Sequence, residues 1–179
     1  MDYFISKKKK RIIIRIPSHD DLEEIMAFYN KLINEDTFIL RYGKPVTLEE
    51  EKKWLQDVME KINKKQAVFL QAYFENKLIG QIEITRGIYR KRFTGLVHIA
   101  VDKDFRREGI AEELLKRAGD EARKLGIKIL NLTLFENNQP ALNLYKKMGF
   151  QIFGTLPKSI ELRGQMLDEI YMYKKLSGF

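Results

Sequence analysis

The fold of this chain is decided by the stretch Val97-His-Ile-Ala-Val-Asp-Lys-Asp-Phe-Arg-Arg-Glu-Gly-Ile-Ala-Glu-Glu-Leu-Leu115. Residues 96–101 are mostly apolar and rich in β-branched side chains, which is typical of a buried strand. Apolar residues then recur at the spacing of an amphipathic helix, at Ile110, Leu114, Leu115, Ala118, Ala122 and Leu125. The pattern therefore predicts a strand that passes into a helix through a short polar loop at 102–108.

Two small residues, Gly109 and Ala111, lie in the first turn of that helix. A side chain larger than a methyl group would keep a ligand away from the backbone N–H groups that have no intrahelical partner. The positive end of the helix dipole and the adjacent Arg106 and Arg107 add positive charge at the same place. The loop therefore predicts a site for a phosphate or pyrophosphate group.

Two other kinds of phosphate-binding loop lack their defining residues here. The chain has no Gly-Lys-Ser/Thr of a P-loop and no Gly-x-Gly-x-x-Gly between a strand and a helix. The family that the loop does resemble is the GNAT superfamily of acyl-CoA-dependent N-acetyltransferases, whose Arg/Gln-x-x-Gly-x-Gly/Ala loop is similar to Arg106-Arg-Glu-Gly-Ile-Ala111. A later segment, Asn138-Gln-Pro-Ala-Leu-Asn-Leu-Tyr-Lys-Lys-Met-Gly-Phe150, resembles the family's Asn-x-x-Ala-x-x-Leu-Tyr-x-x-x-Gly-Phe signature. The motif-level resemblance covers residues 78–153.

The order of the predicted elements agrees with one α/β domain of the GNAT type at 11–179, after a short basic tail at 1–10 that is predicted to be disordered. Strands are predicted at 11–16, 67–75, 77–85, 96–101, 129–135, 150–156 and 169–176, and helices after Ser18, after Thr47, at 109–125 and at 138–148. An antiparallel hairpin comes first, and the later alternation of strand and helix is typical of parallel crossovers. We therefore expect a central mixed sheet of about seven strands, antiparallel and then parallel, flanked by four helices, with a loop at 157–168.

The helix that begins near Thr47 is predicted to bury one apolar stripe, formed by Leu48, Leu55, Val58, Met59 and Ile62. In the resembled family, the first two helices and the loop between them shape the acceptor site. Tyr42 and Trp54 are therefore candidates to contact the acceptor. The alternative is that both are ordinary core or surface aromatics.

The resemblance implies that acetyl-CoA is the cofactor and coenzyme A the product. The residues that would bind it are Ile99, Ala100, Val101, Arg106, Arg107, Glu108, Gly109, Ile110, Ala111 and Asn138. In the resembled family, a backbone N–H of the central strand stabilises the oxyanion, at the point where that strand splays from its neighbour. The resemblance implies that this N–H lies within residues 99–101 here. Asn138 has two interpretations, because it could bond the pantetheine arm or serve only as a helix N-cap.

Formation of an amide requires a deprotonated amine, and a free amine with a pKa of about 10.4 is almost entirely protonated at neutral pH. Glu83 is the first candidate for the base, because many GNAT enzymes place a glutamate on the corresponding strand. On that strand Gln81, Glu83 and Thr85 share one face, and Glu83 could also simply face solvent. His98 is the rival base, although its alternation with apolar neighbours favours a packed histidine satisfied by the backbone.

Tyr145 matches the tyrosine of the family signature, which implies that it donates a proton to the departing thiolate. The alternative is a core aromatic, because Tyr145 lies at helical spacing from Ala141 and Met148. The two catalytic candidates are therefore Tyr145 and Glu83.

The composition sets limits on other functions. The chain carries 33 Lys and Arg against 25 Asp and Glu, a net charge of +8, which favours anionic ligands such as coenzyme A. It has no Cys and two His, so neither a thiolate metal site nor a cysteine nucleophile is available, and we expect no metal. No segment has the length and hydropathy of a membrane span, and we expect a cytoplasmic protein without a membrane partner.

Two other classes of function compete with the enzyme. One is an acyl-CoA-binding regulatory module without catalysis, against which the presence of Tyr145 and Glu83 argues. The other is a nucleic-acid-binding module, which scattered basic residues without interleaved aromatics do not favour. The sequence leaves open whether the amine acceptor is a protein N-terminus, a lysine or a small amine such as a polyamine. It also leaves open the oligomeric state, with a homodimer as one alternative.

Overall fold

The computed structural model describes residues 3–36 and 38–176. The strands are β1 (Tyr3–Ile5), β2 (Arg11–Arg15), β3 (Ala67–Phe74), β4 (Lys77–Arg86), β5 (Thr94–Val101), β6 (Ile129–Phe135), β7 (Gln151–Leu162) and β8 (Gln165–Lys175). The α-helices are α1 (Leu22–Glu35), α2 (Leu48–Asn63), α3 (Ile110–Lys124) and α4 (Gln139–Lys147). The described strands form one mixed sheet in the order β1-β2-β3-β4-β5-β6-β8-β7.

Strands β1 to β5 pair with their neighbours in antiparallel fashion, and β5 and β6 form a parallel pair. One apolar core lies between the sheet and α3 and α4, and a second lies between the sheet and α1 and α2. The predicted α/β domain with a mixed sheet and four helices is therefore confirmed. The sheet has eight strands where about seven were predicted.

The predicted loop at 157–168 is wrong, because most of it belongs to the long hairpin of β7 and β8. Its Pro157 and Gly164 are typical of a loop, but β7 is an edge strand, where proline is tolerated. The register of the hairpin shifts between Leu156 and Ile160, which accommodates Pro157. Strand β8 also inserts between β6 and β7, so the crossover through α4 joins strands that are not neighbours.

The predicted disordered tail at 1–10 is also wrong for residues 3–10. Strand β1 pairs with β2, and the turn between them is anchored on Glu108, which is 1% exposed. The Glu108 carboxylate accepts hydrogen bonds from Ser6 Oγ at 3.0 Å and from Lys10 Nζ at 2.9 Å. Burial opposes ionisation of Glu108, but the hydrogen bonds from Lys10, Ser6 and Lys8 outweigh it and lower its pKa. The lysine run looks solvated in the sequence because its buried partner lies about a hundred residues away.

Helix α2 does not bury the stripe that its apolar residues predict. Leu55 and Val58 are buried as expected, but Leu48 is 51% exposed. The position one turn before Leu55 is taken by Glu51, which is only 5% exposed. Thr47 caps the helix as predicted, with its Oγ1 accepting from the Glu50 N–H at 3.2 Å. A carboxylate therefore replaces a leucine in the buried stripe.

The entry to α1 is fixed by an ion pair whose effect on stability can be measured. Both guanidinium N–H groups of Arg15 donate to Asp21, at 2.7 and 2.6 Å, and the Ser18 N–H donates to the same carboxylate at 2.7 Å. Burial would raise the pKa of Asp21, but these bonds lower it to about 2. The ionised carboxylate is therefore favoured by folding.

Asp21→Asn is expected to lower the free energy of unfolding by about 1–2 kcal/mol at pH 7, less than the full shift implies, because the Arg15 side chain is 41% exposed. The folded-state pKa lies below the unfolded-state pKa, so this contribution is complete above about pH 5 and is lost as the pH falls towards 2. Urea unfolding at several pH values measures it. Asp20→Asn, at the neighbouring exposed position, is the control; an Asp21→Asn deficit that stayed constant down to pH 2 would contradict the ion pair.

Candidate active site

A cavity of about 970 Å³ lies where β5 and β6 separate. The parallel pairing of these strands covers residues 94–96 of β5, opposite 129–131 of β6, and stops there. Residues Val97 to Val101 at the end of β5 therefore line an opening between the two strands. Helix α3 begins at one side of this opening, and α4 borders it from the other strand. This is the splayed end of the central strand that the resemblance implied.

The start of α3 presents unpaired backbone donors to the cavity. The Glu113 N–H makes the first intrahelical bond, to the Gly109 carbonyl at 3.1 Å, so earlier N–H groups have no intrahelical acceptor. Gly109 has a φ of +89°, which glycine adopts without strain. A Cβ at this position would meet only Lys7 carbons, at 3.7 and 3.8 Å, so the space beside the loop is open. Gly109, Ile110 and Ala111 all line the cavity.

The basic residues near the start of α3 differ in part from those that the sequence predicts to face a ligand there. Arg106 lines the cavity, but its guanidinium makes a two-point ion pair with Glu35, at 2.5 and 2.8 Å, and donates to the Val101 carbonyl. Arg107 also lines the cavity, next to the loop. Two lysines that the sequence analysis missed, Lys7 and Lys147, line the same end. Only the folded turn between β1 and β2 brings Lys7 there.

Glu108 is the one predicted cofactor residue that does not line the cavity. Its side chain points to the turn between β1 and β2, where it holds Ser6 and Lys10. Its carbonyl also accepts from the Lys7 N–H at 3.0 Å. The Glu108 side chain therefore positions Lys7 beside Gly109 and has no direct access to a ligand.

The backbone of β5 directs donors into the opening. The Asp102 N–H donates to the Ile79 carbonyl of β4 at 2.9 Å. Because successive N–H groups of a strand alternate in direction, those of Val101 and Ile99 point to the other side, where β6 has separated. The predicted segment Ile99, Ala100 and Val101 lines the cavity throughout.

Glu83 and His98 lie directly opposite one another on β4 and β5. Both line the cavity, and Glu83 is half-buried on the face that it shares with Gln81 and Thr85. The Thr85 hydroxyl donates to Glu83 Oε1 at 2.6 Å, which orients the carboxylate. His98 is exposed, so its interpretation as a packed histidine is wrong. The reason is that Gly95 and Val97 supply the buried face of β5, so Leu96 and His98 lie on the opposite, exposed face.

Tyr145 and Asn138 lie on the α4 side of the cavity. Tyr145 is buried against Phe150, with 5.6 Å between the ring centroids, yet it lines the cavity. Burial raises the pKa of its hydroxyl. Asn138 is the N-cap of α4, with its Oδ1 accepting from the Ala141 N–H at 3.3 Å, and it also lines the cavity. Both interpretations of Tyr145 and of Asn138 are therefore compatible with their positions.

The opposite end of the cavity is formed by α1, α2, residues 38–46 between them, β3 and the last two strands. The lining residues here are Tyr29, Phe38, Arg41, Glu50, Glu51, Trp54, Phe69, Ile160 and Glu169. Trp54, one of the two candidates for contact with the acceptor, lines this end. Its ring packs edge-on against Phe69, with ring centroids 5.4 Å apart. The other candidate, Tyr42, is exposed and does not line the cavity. Glu51 belongs to no motif and to no apolar stripe in the sequence, so its place in this lining was not predicted.

No group of three or more His, Cys, Asp or Glu side chains in residues 3–36 and 38–176 could hold a metal ion. No helix in the same residues is long and apolar enough to cross a membrane.

Comparisons with known proteins agree with this geometry. Residues 27–150 match the "Acetyltransferase (GNAT) family". A Bacillus subtilis relative named "Putative phosphinothricin acetyltransferase YwnH" is 31% identical over 92% of this chain and 99% of its own. The GNAT acetyltransferase structure from Streptococcus pneumoniae superposes with a TM-score of 0.83, at 28% identity over 92% of this chain and 99% of that one. A Sinorhizobium meliloti phosphinothricin acetyltransferase solved with acetyl-CoA has the same fold, with a TM-score of 0.79 at 19% identity over 92% and 88% of the two chains. This chain is therefore a member of the GNAT family and an acetyl-CoA-dependent acetyltransferase.

Proposed function

We propose that this enzyme transfers the acetyl group of acetyl-CoA to a primary amine of a small molecule, by direct attack within a ternary complex. The observation that carries the proposal is a single cavity that Glu83, the separated end of β5 and Tyr145 all line. Its volume of about 970 Å³ is at the upper end of small-molecule sites, which leaves room for an acceptor beside a pantetheine arm. The name of the Bacillus subtilis relative, a putative phosphinothricin acetyltransferase, also supports a small-molecule acceptor.

The start of α3 is the part of the cavity that fits a pyrophosphate. Its free N–H groups, the helix dipole and the nearby Lys7 and Arg107 together favour an anion. Bound acetyl-CoA would supply a thioester carbonyl, which an amine can attack. Ile99, Ala100 and Val101 would bind the arm through their backbone, and Asn138 would lie beside it while it caps α4.

The acceptor amine must lose a proton before it attacks, and Glu83 is the group that we assign to this step. The carboxylate is half-buried, oriented by Thr85 and lies opposite His98. It would accept the proton directly or through one water molecule. His98 is the alternative acceptor, because the imidazole lies on the same face.

Two kinds of fixed donor, backbone N–H groups and a side-chain hydroxyl, would act in the rest of the reaction. By their alternation with the Asp102 N–H, the N–H groups of Ile99 and Val101 face the opening, and they would bond the oxygen that becomes negative during the attack. The Tyr145 hydroxyl would then donate a proton to the thiolate of coenzyme A. Because burial raises its pKa, Tyr145 stays protonated over the neutral range and remains available as a donor.

A screen of acceptors tests the proposal. The enzyme is incubated with acetyl-CoA and, separately, with small primary amines, amino acids, peptides with free N-termini and lysine peptides, and the released thiol is recorded. We expect thiol release with small amines at rates well above those with peptides. Faster turnover with peptides would overturn the small-molecule assignment, and no release with any amine would overturn transfer to an amine.

Cofactor binding can be tested separately from catalysis. A ligand present at a hundred times its dissociation constant stabilises the folded state by about 2.7 kcal/mol, so acetyl-CoA is expected to raise the melting temperature by several degrees. Ala111→Leu should abolish that shift, because a large side chain would cover the helix N–H groups while leucine remains a good helix former. Gly109 is less suitable for this test, because a substitution at a φ of +89° would itself cost stability.

The control for Ala111→Leu is Lys116→Leu, an exposed position in the same helix. Differential scanning fluorimetry with and without acetyl-CoA measures all three proteins. The control should keep the full thermal shift. An Ala111→Leu enzyme that kept the wild-type shift would contradict the placement of the cofactor at the start of α3.

A further inference from the structure

Glu51 occupies a position that the packing of α2 reserves for an apolar side chain. It lies four residues before Leu55 and seven before Val58, and these three residues form the buried face of the helix. A buried carboxylate costs free energy unless a donor or a cation compensates for it. Its presence in the stripe therefore calls for a partner.

The described part of the chain does not supply one. Within residues 3–36 and 38–176, the Glu51 carboxylate makes no hydrogen bond and no ion pair. The nearby guanidinium of Arg41 is paired with Glu50 at 3.4 Å, and Glu50 is itself held by the Thr47 N–H at 2.9 Å. Burial raises the pKa of Glu51, and the charge of Arg41 only partly opposes this. The Glu51 side chain is thus largely buried, faces the cavity close to a cation, and has no hydrogen-bond or ion-pair partner among the described residues.

The surroundings of Glu51 suit a cationic ligand. The residue lines the acceptor end of the cavity together with the rings of Tyr29 and Trp54. Aromatic faces and a desolvated carboxylate both attract ammonium groups. Among the described lining residues of this end, Glu50, Glu51 and Glu169 are opposed only by Arg41. The local charge is therefore negative, although the whole chain is basic.

We propose that Glu51 binds a second cationic group of the acceptor, so that the enzyme prefers an amine that carries another ammonium group. One amino group of such a diamine reaches the Glu83 and His98 side and is acetylated, while the other pairs with Glu51. This inference rests on the proposed transfer to small amines and adds the class of acceptor. Glu51 is a specificity-determining residue in this account and takes no part in proton transfer.

The test compares α,ω-diamines with monoamines of the same chain length, from three to six carbons, as acceptors for the wild type and for Glu51→Gln. A hydrogen-bonded ion pair in a desolvated site implies a diamine preference in kcat/KM of about 10–100-fold in the wild type. In Glu51→Gln the diamine to monoamine ratio should fall to within about threefold of one. Glu49→Gln removes a charge from the same helical turn at an exposed position outside the cavity, and it should keep the wild-type ratio.

Thermal unfolding of the free proteins separates binding from a structural role. Because Glu51 makes no hydrogen bond or ion pair within residues 3–36 and 38–176, Glu51→Gln should melt at or above the wild-type temperature. The same diamine to monoamine ratio in the wild type and in Glu51→Gln would overturn the proposal. A lower melting temperature of Glu51→Gln together with that result would show that Glu51 has a structural role only. Failure to acetylate any amine, with the acetyl-CoA thermal shift intact, would instead contradict the proposed function itself.

Discussion

Glu83→Gln is expected to lower kcat/KM at neutral pH by about 10²–10⁴-fold, the range attributed to a general base. Glutamine is nearly isosteric and can still accept the hydrogen bond that Thr85 donates to Glu83 at 2.6 Å, so the fold should be retained. Only the ability to take up a proton is lost. The activity should recover in part as the pH rises, because the fraction of free amine then increases without enzymatic help.

A pH–rate profile of the wild type and the variant measures both effects. Glu75→Gln, at the exposed turn between β3 and β4, is the matched control and should behave as the wild type. A Glu83→Gln enzyme with the wild-type rate and the wild-type pH dependence would remove Glu83 from the mechanism. His98→Gln would then be the next variant, because His98 lies opposite Glu83 and faces the cavity. Full activity in that variant as well would leave desolvation of the amine as the source of deprotonation.

Tyr145→Phe is expected to lower kcat by about 10–1,000-fold, with a much smaller change in the affinity for acetyl-CoA. The variant keeps the ring that packs against Phe150 at 5.6 Å between centroids, so the core should be preserved. The loss should remain partial, because a thiol with a pKa near 8.5 is a tolerable leaving group without a proton donor.

Single-turnover kinetics and the acetyl-CoA thermal shift separate the two roles of Tyr145. Tyr173→Phe is the control, because its hydroxyl bonds Gln151 at the exposed end of the sheet, outside the cavity. It should leave single-turnover rates unchanged. If Tyr145→Phe also turned over at the wild-type rate when chemistry limits the reaction, Tyr145 would be a packing residue only.

The parts of the site that the sequence predicted are those in which one segment supplies both the structure and the chemistry. The loop that ends in Gly109 and Ala111 was predicted from three neighbouring features: the strand pattern before it, these two small residues and the helical spacing of apolar residues after it. The face of β4 on which Glu83 lies was predicted from the alternation of side chains along a strand. Tyr145 and Asn138 lie in a contiguous motif. In each case, the contacts that position the residue are local in sequence.

The sequence could not predict the contacts made between distant segments. Glu108 was assigned to the cofactor because it lies in the loop, but its partners, Ser6 and Lys10, come from the other end of the chain. Lys7 reaches the cavity by the same route. Glu51 was missed because helical periodicity counts apolar residues, and a buried acid interrupts the pattern without revealing what it binds. His98 was misassigned because the alternation of β5 does not indicate which face is covered.

Direct transfer from acetyl-CoA to the amine is the central claim, and one experiment on the intact enzyme tests it. The enzyme is mixed with a stoichiometric amount of acetyl-CoA, with and without the best amine of the screen, and both the protein mass and the released thiol are followed by rapid quenching. Our account predicts no thiol release and no acetylated protein until the amine is added, and then equal amounts of coenzyme A and acetylated amine. Stoichiometric thiol release before the amine is added, with one acetyl group bound to the protein and later passed to the amine, would contradict it.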